Sequence, residues 1–139
     1  RVGAAWCLRE RASGDEFDTM TARWQSWRRR VIAWCRQQPE VTVDDAPMTS
    51  PSIIHLSVAG ARGTDLVMLA DRDGIDLSAG SACHAGVSRP SPTMLAMGRD
   101  DDAASSGLRI SMGYTTTDVD IDRLLVTLPA TIRKASGAR

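Results

Sequence analysis

Residues 108–128 read LRISMGYTTTDVDIDRLLVTL, and the periodicity of the chain changes within this stretch. Apolar and polar side chains alternate over 108–112, which is the pattern of a strand with one buried face. Thr117 followed by Asp120 three positions later is typical of a capping box, and the apolar residues beyond it recur at helical spacing. The stretch therefore predicts a strand followed by an amphipathic helix, with Pro129 expected to kink that helix.

Two upstream segments have helical spacing with start or stop signals around them. A helix is predicted from Thr19 to Gln38, because large apolar side chains recur there every three or four residues and Pro39 follows. A second helix is predicted to open at Gly63-Thr64, with Thr64 as its N-cap, and to run to about Arg72. The first segment of the chain, 2–12, is also compatible with a helix.

The remaining segments are shorter. Strands are predicted at 41–43, 53–58 and 75–78, where β-branched or alternating residues lie between turn formers. Ser91 and Pro92 form a good N-cap and N1 pair for a helix that stops at Gly98, and 100–106 is predicted to be a polar connection.

This order of elements predicts an α+β fold, in which helices cover one small antiparallel or mixed sheet. A chain of 139 residues with 42% hydrophobic residues is long enough for one domain with a core and too short for two ordinary ones.

The charge composition argues against several classes of partner. The chain has 17 basic and 17 acidic residues, so no overall field favours nucleic acid or an anionic membrane. The run Arg28-Arg29-Arg30 is interpreted as the solvated face of a helix. No apolar run approaches the length of a membrane span.

Three cysteines without CxxC spacing indicate neither a disulfide framework nor a metal site, which fits a reducing, cytosolic setting.

Cys83 lies in a run of small residues, SAGSACHAG at 78–86, that offers almost no apolar surface to pack against. Glycines give this run backbone freedom. An exposed thiol is an oxidation liability unless it is used, so Cys83 is a candidate functional residue. Cys7 and Cys35 lie in helical segments and are interpreted as small core residues.

Arg109 is the second candidate, because its side chain points to the opposite face from Leu108 and Ile110. It is either a solvent-facing arginine on a half-exposed sheet or a fork that holds a carboxylate through two parallel hydrogen bonds. Periodicity alone leaves both interpretations open. His55, in a predicted strand, is interpreted as a hydrogen-bonded structural histidine.

Three segments in order resemble the C-terminal domain of the cysteine desulfurases, pyridoxal-phosphate enzymes of the class V aminotransferase group. They are GIDLSAGSACHAG at 74–86, PSPTMLAMG at 90–98 and LRISMGYTTTDVDIDRLL at 108–125. The S-x-G-S-A-C loop resembles that of the NifS/IscS-like branch, group I. The resemblance is dense from Gly74 to Leu128 and extends more loosely towards the N-terminus.

The resemblance implies a role for each candidate residue. Cys83 would take sulfur from L-cysteine as a persulfide, with release of L-alanine, and pass it to a sulfur-acceptor protein. Arg109 would hold the α-carboxylate of the substrate. The flexible catalytic loop around Cys83 would include Gly80, Ser81, Ala82, His84 and Gly86.

The resemblance also implies what lies outside this sequence. Residues 1–139 would be a single C-terminal domain, similar to that of fold-type I pyridoxal-phosphate enzymes. The cofactor would be bound mainly by a large domain or chain that also supplies the Schiff-base lysine, since Lys134, the one lysine here, does not match that position. The complete enzyme would be a cytoplasmic homodimer, without a metal, a membrane or direct nucleic-acid contact.

Two alternatives remain open from the sequence. The chain could be a non-catalytic relay or docking module that accepts sulfur on Cys83 from a partner. It could also belong to a class V relative that acts on another substrate, such as selenocysteine.

Overall fold

A four-stranded antiparallel sheet organises the computed structural model, which describes residues 14–44, 49–79 and 90–137. Its strands are β1 (Val41–Val43), β2 (Ile53–Val58), β3 (Ser78–Ala79) and β4 (Gly107–Ser111). The strand order is β1-β2-β4-β3, so β4 lies between β2 and the edge strand β3. This arrangement confirms the predicted α+β class, with the sheet antiparallel throughout its described pairings.

Five helices accompany the sheet in the described residues. They are α1 (Gly14–Cys35), α2 (Gly63–Arg72), α3 (Pro92–Ala96), α4 (Asp101–Ser105) and α5 (Asp118–Ser136). No helix in these parts of the chain is long and apolar enough to cross a membrane.

The core lies between one face of the sheet and the three longer helices. Successive side chains of β2 and β4 point to opposite faces of the sheet, so that every second side chain packs against α1, α2 and α5. The most deeply buried side chains of this core include Trp27, Val31, Ile54, Leu56, Leu66, Leu108 and Leu128. The alternate residues of β2 and β4 point to the other face, which carries polar side chains.

The start of α5 is fixed by the capping box that the sequence predicts. The Thr117 hydroxyl accepts a hydrogen bond from the Asp120 amide, and the Asp120 carboxylate accepts one from the Thr117 amide at 2.8 Å. The Thr117 hydroxyl also donates to this carboxylate at 2.8 Å, and the two hydrogen bonds from the Thr117 hydroxyl and amide lower the pKa of Asp120. The helix continues as one element past Pro129 to Ser136.

Two predicted helices differ from the structure at their ends. Helix α1 runs from Gly14 to Cys35 instead of from Thr19 to Gln38; Asp15 and Glu16 in its first turn favour the earlier start. Helix α2 begins at Gly63, and its N-cap is Arg62, two residues before the predicted N-cap Thr64.

The predictions for two of the short segments were wrong. The segment 75–78 was expected to be a strand, but β3 is confined to Ser78–Ala79 because the Ile75 amide bonds back to the end of α2. The connection at 100–106 contains the short helix α4, whose N-cap Asp100 accepts a hydrogen bond from the Ala103 amide at 2.8 Å.

The arginine run on α1 makes contacts within the chain. Arg28 donates to the carbonyl oxygens of Ser50 and Ile53, and Arg30 pairs with Asp122 on α5. These contacts tie α1 to its neighbours and occupy two of the three guanidinium groups.

Candidate active site

A polar row crosses the face of the sheet that lies opposite the three long helices. His55 on β2 is directly opposite Arg109 on β4, and Arg109 is directly opposite Ser78 on β3. Asp44 follows β1 and continues the row, since its amide donates to the His55 carbonyl at 2.9 Å. Side chains opposite one another on antiparallel strands share a face, so these four lie on one surface.

Arg109 lies near the middle of this row and its side chain is exposed. One guanidinium nitrogen, Nη2, donates to the Ser78 hydroxyl oxygen at 3.3 Å. Among the described residues no carboxylate forms an ion pair with Arg109, and its cross-strand neighbours are a histidine and a serine. The guanidinium therefore keeps N–H donors available for an anionic ligand. The planar arrangement of these donors matches the two oxygens of a carboxylate.

His55 is held by its neighbours on the β1 side of the row. Its Nδ1 lies 2.8 Å from a carboxylate oxygen of Asp44, which confirms that this histidine is hydrogen-bonded. The Asp44 side chain is 6% exposed, and its other oxygen accepts from Arg99. A Cβ at Gly107 would lie 3.3 Å from the imidazole Cε1, so glycine leaves room for the ring.

Sequence reasoning missed Asp44, Arg99 and Ser78 as members of this surface. Asp44 and Arg99 are 55 residues apart, and the sequence around neither residue indicates that the two side chains form an ion pair. Ser78 did carry a signal, because it is the first residue of the S-x-G-S-A-C segment.

Of the cysteines, the structure describes Cys35, which is buried in the core at the end of α1. Burial raises the pKa of its thiol to about 11, which suits a small hydrophobic residue better than a nucleophile. Cys7, Cys83 and the loop residues Gly80, Ser81, Ala82, His84 and Gly86 lie outside the described residues. The described chain reaches Ala79, one residue after Ser78, which lies directly opposite Arg109, and Cys83 follows four positions later in the sequence.

The described residues do not by themselves fit a pyridoxal-phosphate site. Such a site needs a lysine for the Schiff base. Lys134 lies on α5, in the helical layer behind the sheet, and its Nζ is 3.7 Å from a carboxylate oxygen of Asp73. Arg109 and Lys134 are therefore on opposite sides of the sheet.

Comparison with known proteins identifies the family. The family model described as "Aminotransferase class-V" matches residues 12–124. The chain belongs to this family. Among curated relatives, an IscS-like cysteine desulfurase of Mycobacterium tuberculosis is 42% identical over 94 residues, covering 68% of this chain and 24% of the relative. A cysteine desulfurase of Cereibacter sphaeroides is 45% identical over 69 residues, covering 50% of this chain and 18% of the relative.

This class-V aminotransferase chain thus spans about a quarter, or less, of the length of these relatives. A solved structure with the same fold is the NifS-like protein of Rickettsia africae, with a TM-score of 0.68 and 17% identity. The match covers 81% of this chain and 29% of the Rickettsia protein. The fold of the described residues is therefore that of one part of a NifS-like protein.

Proposed function

We propose that residues 1–139 are the C-terminal small domain of a pyridoxal-phosphate-dependent cysteine desulfurase. The observation that carries the proposal is Arg109, an exposed guanidinium with no carboxylate partner among the described residues, on the strand beside β3. β3 in turn leads along the chain to Cys83. Relatives named cysteine desulfurase, at 42% and 45% identity, support this assignment.

In this proposal Arg109 binds the α-carboxylate of L-cysteine. A guanidinium gives a carboxylate two parallel, charge-assisted hydrogen bonds, which fix both the position and the orientation of the amino acid. The polar surroundings of Arg109, His55 and Ser78, contribute no negative charge of their own that would compete with the substrate. Asp44 contributes one, but Arg99 neutralises it.

Cys83 accepts the sulfur. In the sequence Cys83 follows by five positions Ser78, the residue of β3 that lies directly opposite Arg109. The overall reaction converts the Cys83 thiol and L-cysteine into a Cys83 persulfide and L-alanine, and an acceptor protein then takes the terminal sulfur. The nucleophile is the thiolate, so Cys83 must lose its proton before it attacks.

The cofactor would be held by a large domain or chain that supplies the Schiff-base lysine, since Lys134 is placed on the wrong side of the sheet for this role. Pyridoxal phosphate, when bound, supplies the electron sink that the reaction requires. The residues of this chain then bind the carboxylate and receive the sulfur. We further propose that the complete enzyme is a homodimer and that it acts in the cytoplasm, where a reducing environment keeps the Cys83 thiol available.

The test compares Arg109→Ala and Cys83→Ser in the complete enzyme, loaded with pyridoxal phosphate. Arg109→Ala is expected to raise the KM for L-cysteine about a hundredfold, because two charge-assisted hydrogen bonds are lost. Cys83→Ser is expected to abolish alanine and sulfide release while the absorbance spectrum of the cofactor stays the same.

Arg29→Ala is the matched control, since it removes an exposed arginine on α1, away from the polar face. An unchanged KM in Arg109→Ala, or undiminished alanine release in Cys83→Ser, would contradict the proposal.

A further inference from the structure

Ser78 carries the side chain to which the Arg109 guanidinium bonds among the described residues. The two residues are directly opposite each other on β3 and β4, and both side chains lie on the polar face. The hydrogen bond from Arg109 Nη2 to Ser78 Oγ, 3.3 Å long, spans this pair. Ser78 is half-buried as a residue, and its hydrogen bond with Arg109 lies at the exposed surface of the sheet.

The neighbour on the other side of Arg109 is engaged elsewhere. His55 Nδ1 contacts Asp44, and the Cε1 edge of the ring lies above Gly107. Among the described residues, Ser78 supplies the side-chain acceptor to which Arg109 bonds. Arg109 is therefore drawn towards β3, the strand from which the chain continues to Cys83.

A serine in this position can do two things at once. Its oxygen accepts a hydrogen bond from the guanidinium, and its own O–H remains free to donate to another acceptor. A carboxylate held in the Arg109 fork would lie beside that O–H. A serine and an arginine on neighbouring strands thus present three donors to one anionic group.

We propose that Ser78 is part of the carboxylate site: it positions the Arg109 guanidinium over β3 and donates its hydroxyl proton to the same ligand. This inference rests on the proposed function, because it takes the α-carboxylate of an amino-acid substrate as the ligand. It extends that function by assigning a second residue of this chain to substrate binding and by placing the carboxylate on the β3 side of Arg109.

The test is Ser78→Ala in the complete, cofactor-loaded enzyme. Loss of one charge-assisted contact is expected to raise the KM for L-cysteine about tenfold. The carboxylate does not react, so it is bound equally before and during the chemical step, and kcat is expected to stay within about twofold. Ser78→Thr keeps the hydroxyl on a strand and is expected to restore most of the affinity.

Ser111→Ala is the matched control. Ser111 is an exposed serine on the same strand and face as Arg109, two residues along β4, and it is opposite Ile53. Removing its hydroxyl is expected to leave the KM unchanged. An equal increase in KM for Ser111→Ala would show that any hydroxyl on this face has the same effect, and it would overturn the assignment.

A double-mutant cycle separates this inference from the proposed function. Because Ser78 is proposed both to position Arg109 and to donate to the ligand, Ser78→Ala is expected to raise the KM less on an Arg109→Ala background than in the wild type. A raised KM in Arg109→Ala together with an unchanged KM in Ser78→Ala would overturn the role of Ser78 alone. Equal effects of Ser78→Ala in both backgrounds would also overturn it. An unchanged KM in both single variants would contradict the carboxylate site itself, and the inference would fall with it.

A second readout does not depend on turnover. In the NMR spectrum of the protein, the hydrogen bond to Ser78 is expected to slow rotation of the Arg109 guanidinium, and Ser78→Ala is expected to remove that restriction while Ser111→Ala leaves it. Equal rotation rates in the wild type and Ser78→Ala would show that Ser78 does not hold Arg109.

Discussion

At the scale of single residues, the charged side chains of the polar face differ in whether a side chain of opposite charge pairs with them. Asp44 is nearly fully buried and is shared by Arg99 and His55, so its negative charge is satisfied within the fold. Arg109 has a serine instead of a carboxylate as its described partner. A charged group that the fold leaves without a counter-charge is suited to bind one from a ligand, and this difference between Arg99 and Arg109 is what makes Arg109 the candidate.

Cys35 has no proposed catalytic role, and its burial gives a testable prediction about the reactivity of its thiol. Since burial raises its pKa to about 11, roughly a thousandth of this thiol is ionised at pH 8. We therefore expect Cys35 to stay unmodified when the native protein is treated with iodoacetamide at pH 8 and its peptides are mapped by mass spectrometry.

The same treatment in denaturant is the control, because unfolding returns the thiol to water and should allow complete modification. Native-state labelling of Cys35 at the rate of a free cysteine would contradict its place in the core. It would also remove the physical distinction between Cys35 and the proposed nucleophile, Cys83.

At the scale of elements, close backbone contact decides how α2 meets the sheet. A Cβ at Gly63 would lie 2.4 Å from the Gly107 carbonyl oxygen and 3.1 Å from the Ala79 Cβ. The first turn of α2 therefore presses against β4 and β3 immediately behind the polar face, and no larger residue fits there without a backbone shift.

Gly63→Ala is accordingly expected to destabilise the protein by about 1–3 kcal/mol, because the clash is with backbone and outweighs the helix preference of alanine. The free energy of unfolding in urea, followed by circular dichroism, measures the effect. Gly113→Ala is the control, since a Cβ at Gly113 meets no atom within 4 Å. Equal stabilities of the two variants would show that the contact with β4 is not tight.

The capping box at the start of α5 gives a prediction with a pH dependence. Thr117→Ala removes an N-cap side chain and is expected to cost about 1 kcal/mol at neutral pH. Hydrogen bonds from Thr117 lower the pKa of Asp120 in the folded protein. A lowered pKa contributes stability above the unfolded pKa, and this contribution is lost as the pH falls through the folded value.

The difference in unfolding free energy between the wild type and Thr117→Ala should therefore shrink as the pH falls below about 4. Urea unfolding at pH 7 and pH 3 measures it. Thr115→Ala serves as the control, because Thr115 is exposed and has no side-chain hydrogen bond among the described residues. A difference of the same size at both pH values would contradict the role of Asp120.

The elements also show which parts of the fold local sequence can predict. The strand at 107–111 and the capping box of α5 follow from alternation and from side chains three residues apart, so they were predicted nearly in place. Helix α4 is a single turn and was missed, although its N-cap Asp100 is visible in the sequence. The start of α1 was placed too late because apolar periodicity does not record the polar first turn at Asp15 and Glu16.

At the scale of the whole molecule, one face of the sheet forms the core and the other carries the polar candidate site. One face is buried by α1, α2 and α5 and supplies the core, and the other carries the row from Asp44 to Ser78. Alternation along β4 predicted that Arg109 would point away from the core. Its unpaired state among the described residues and its contact with Ser78 depend on strand register, so only the three-dimensional structure reveals them.

In the proposed function, this chain supplies the sulfur-accepting cysteine of a cysteine desulfurase. The most direct measurement is a peptide mass map of the complete, cofactor-loaded enzyme after anaerobic incubation with L-cysteine, with L-alanine quantified in parallel. We expect one added sulfur on the peptide that contains Cys83, none on the peptide that contains Cys35, and alanine in proportion to the persulfide. Alanine formed without added sulfur on Cys83, or sulfur found on Cys35 instead, would contradict the claim.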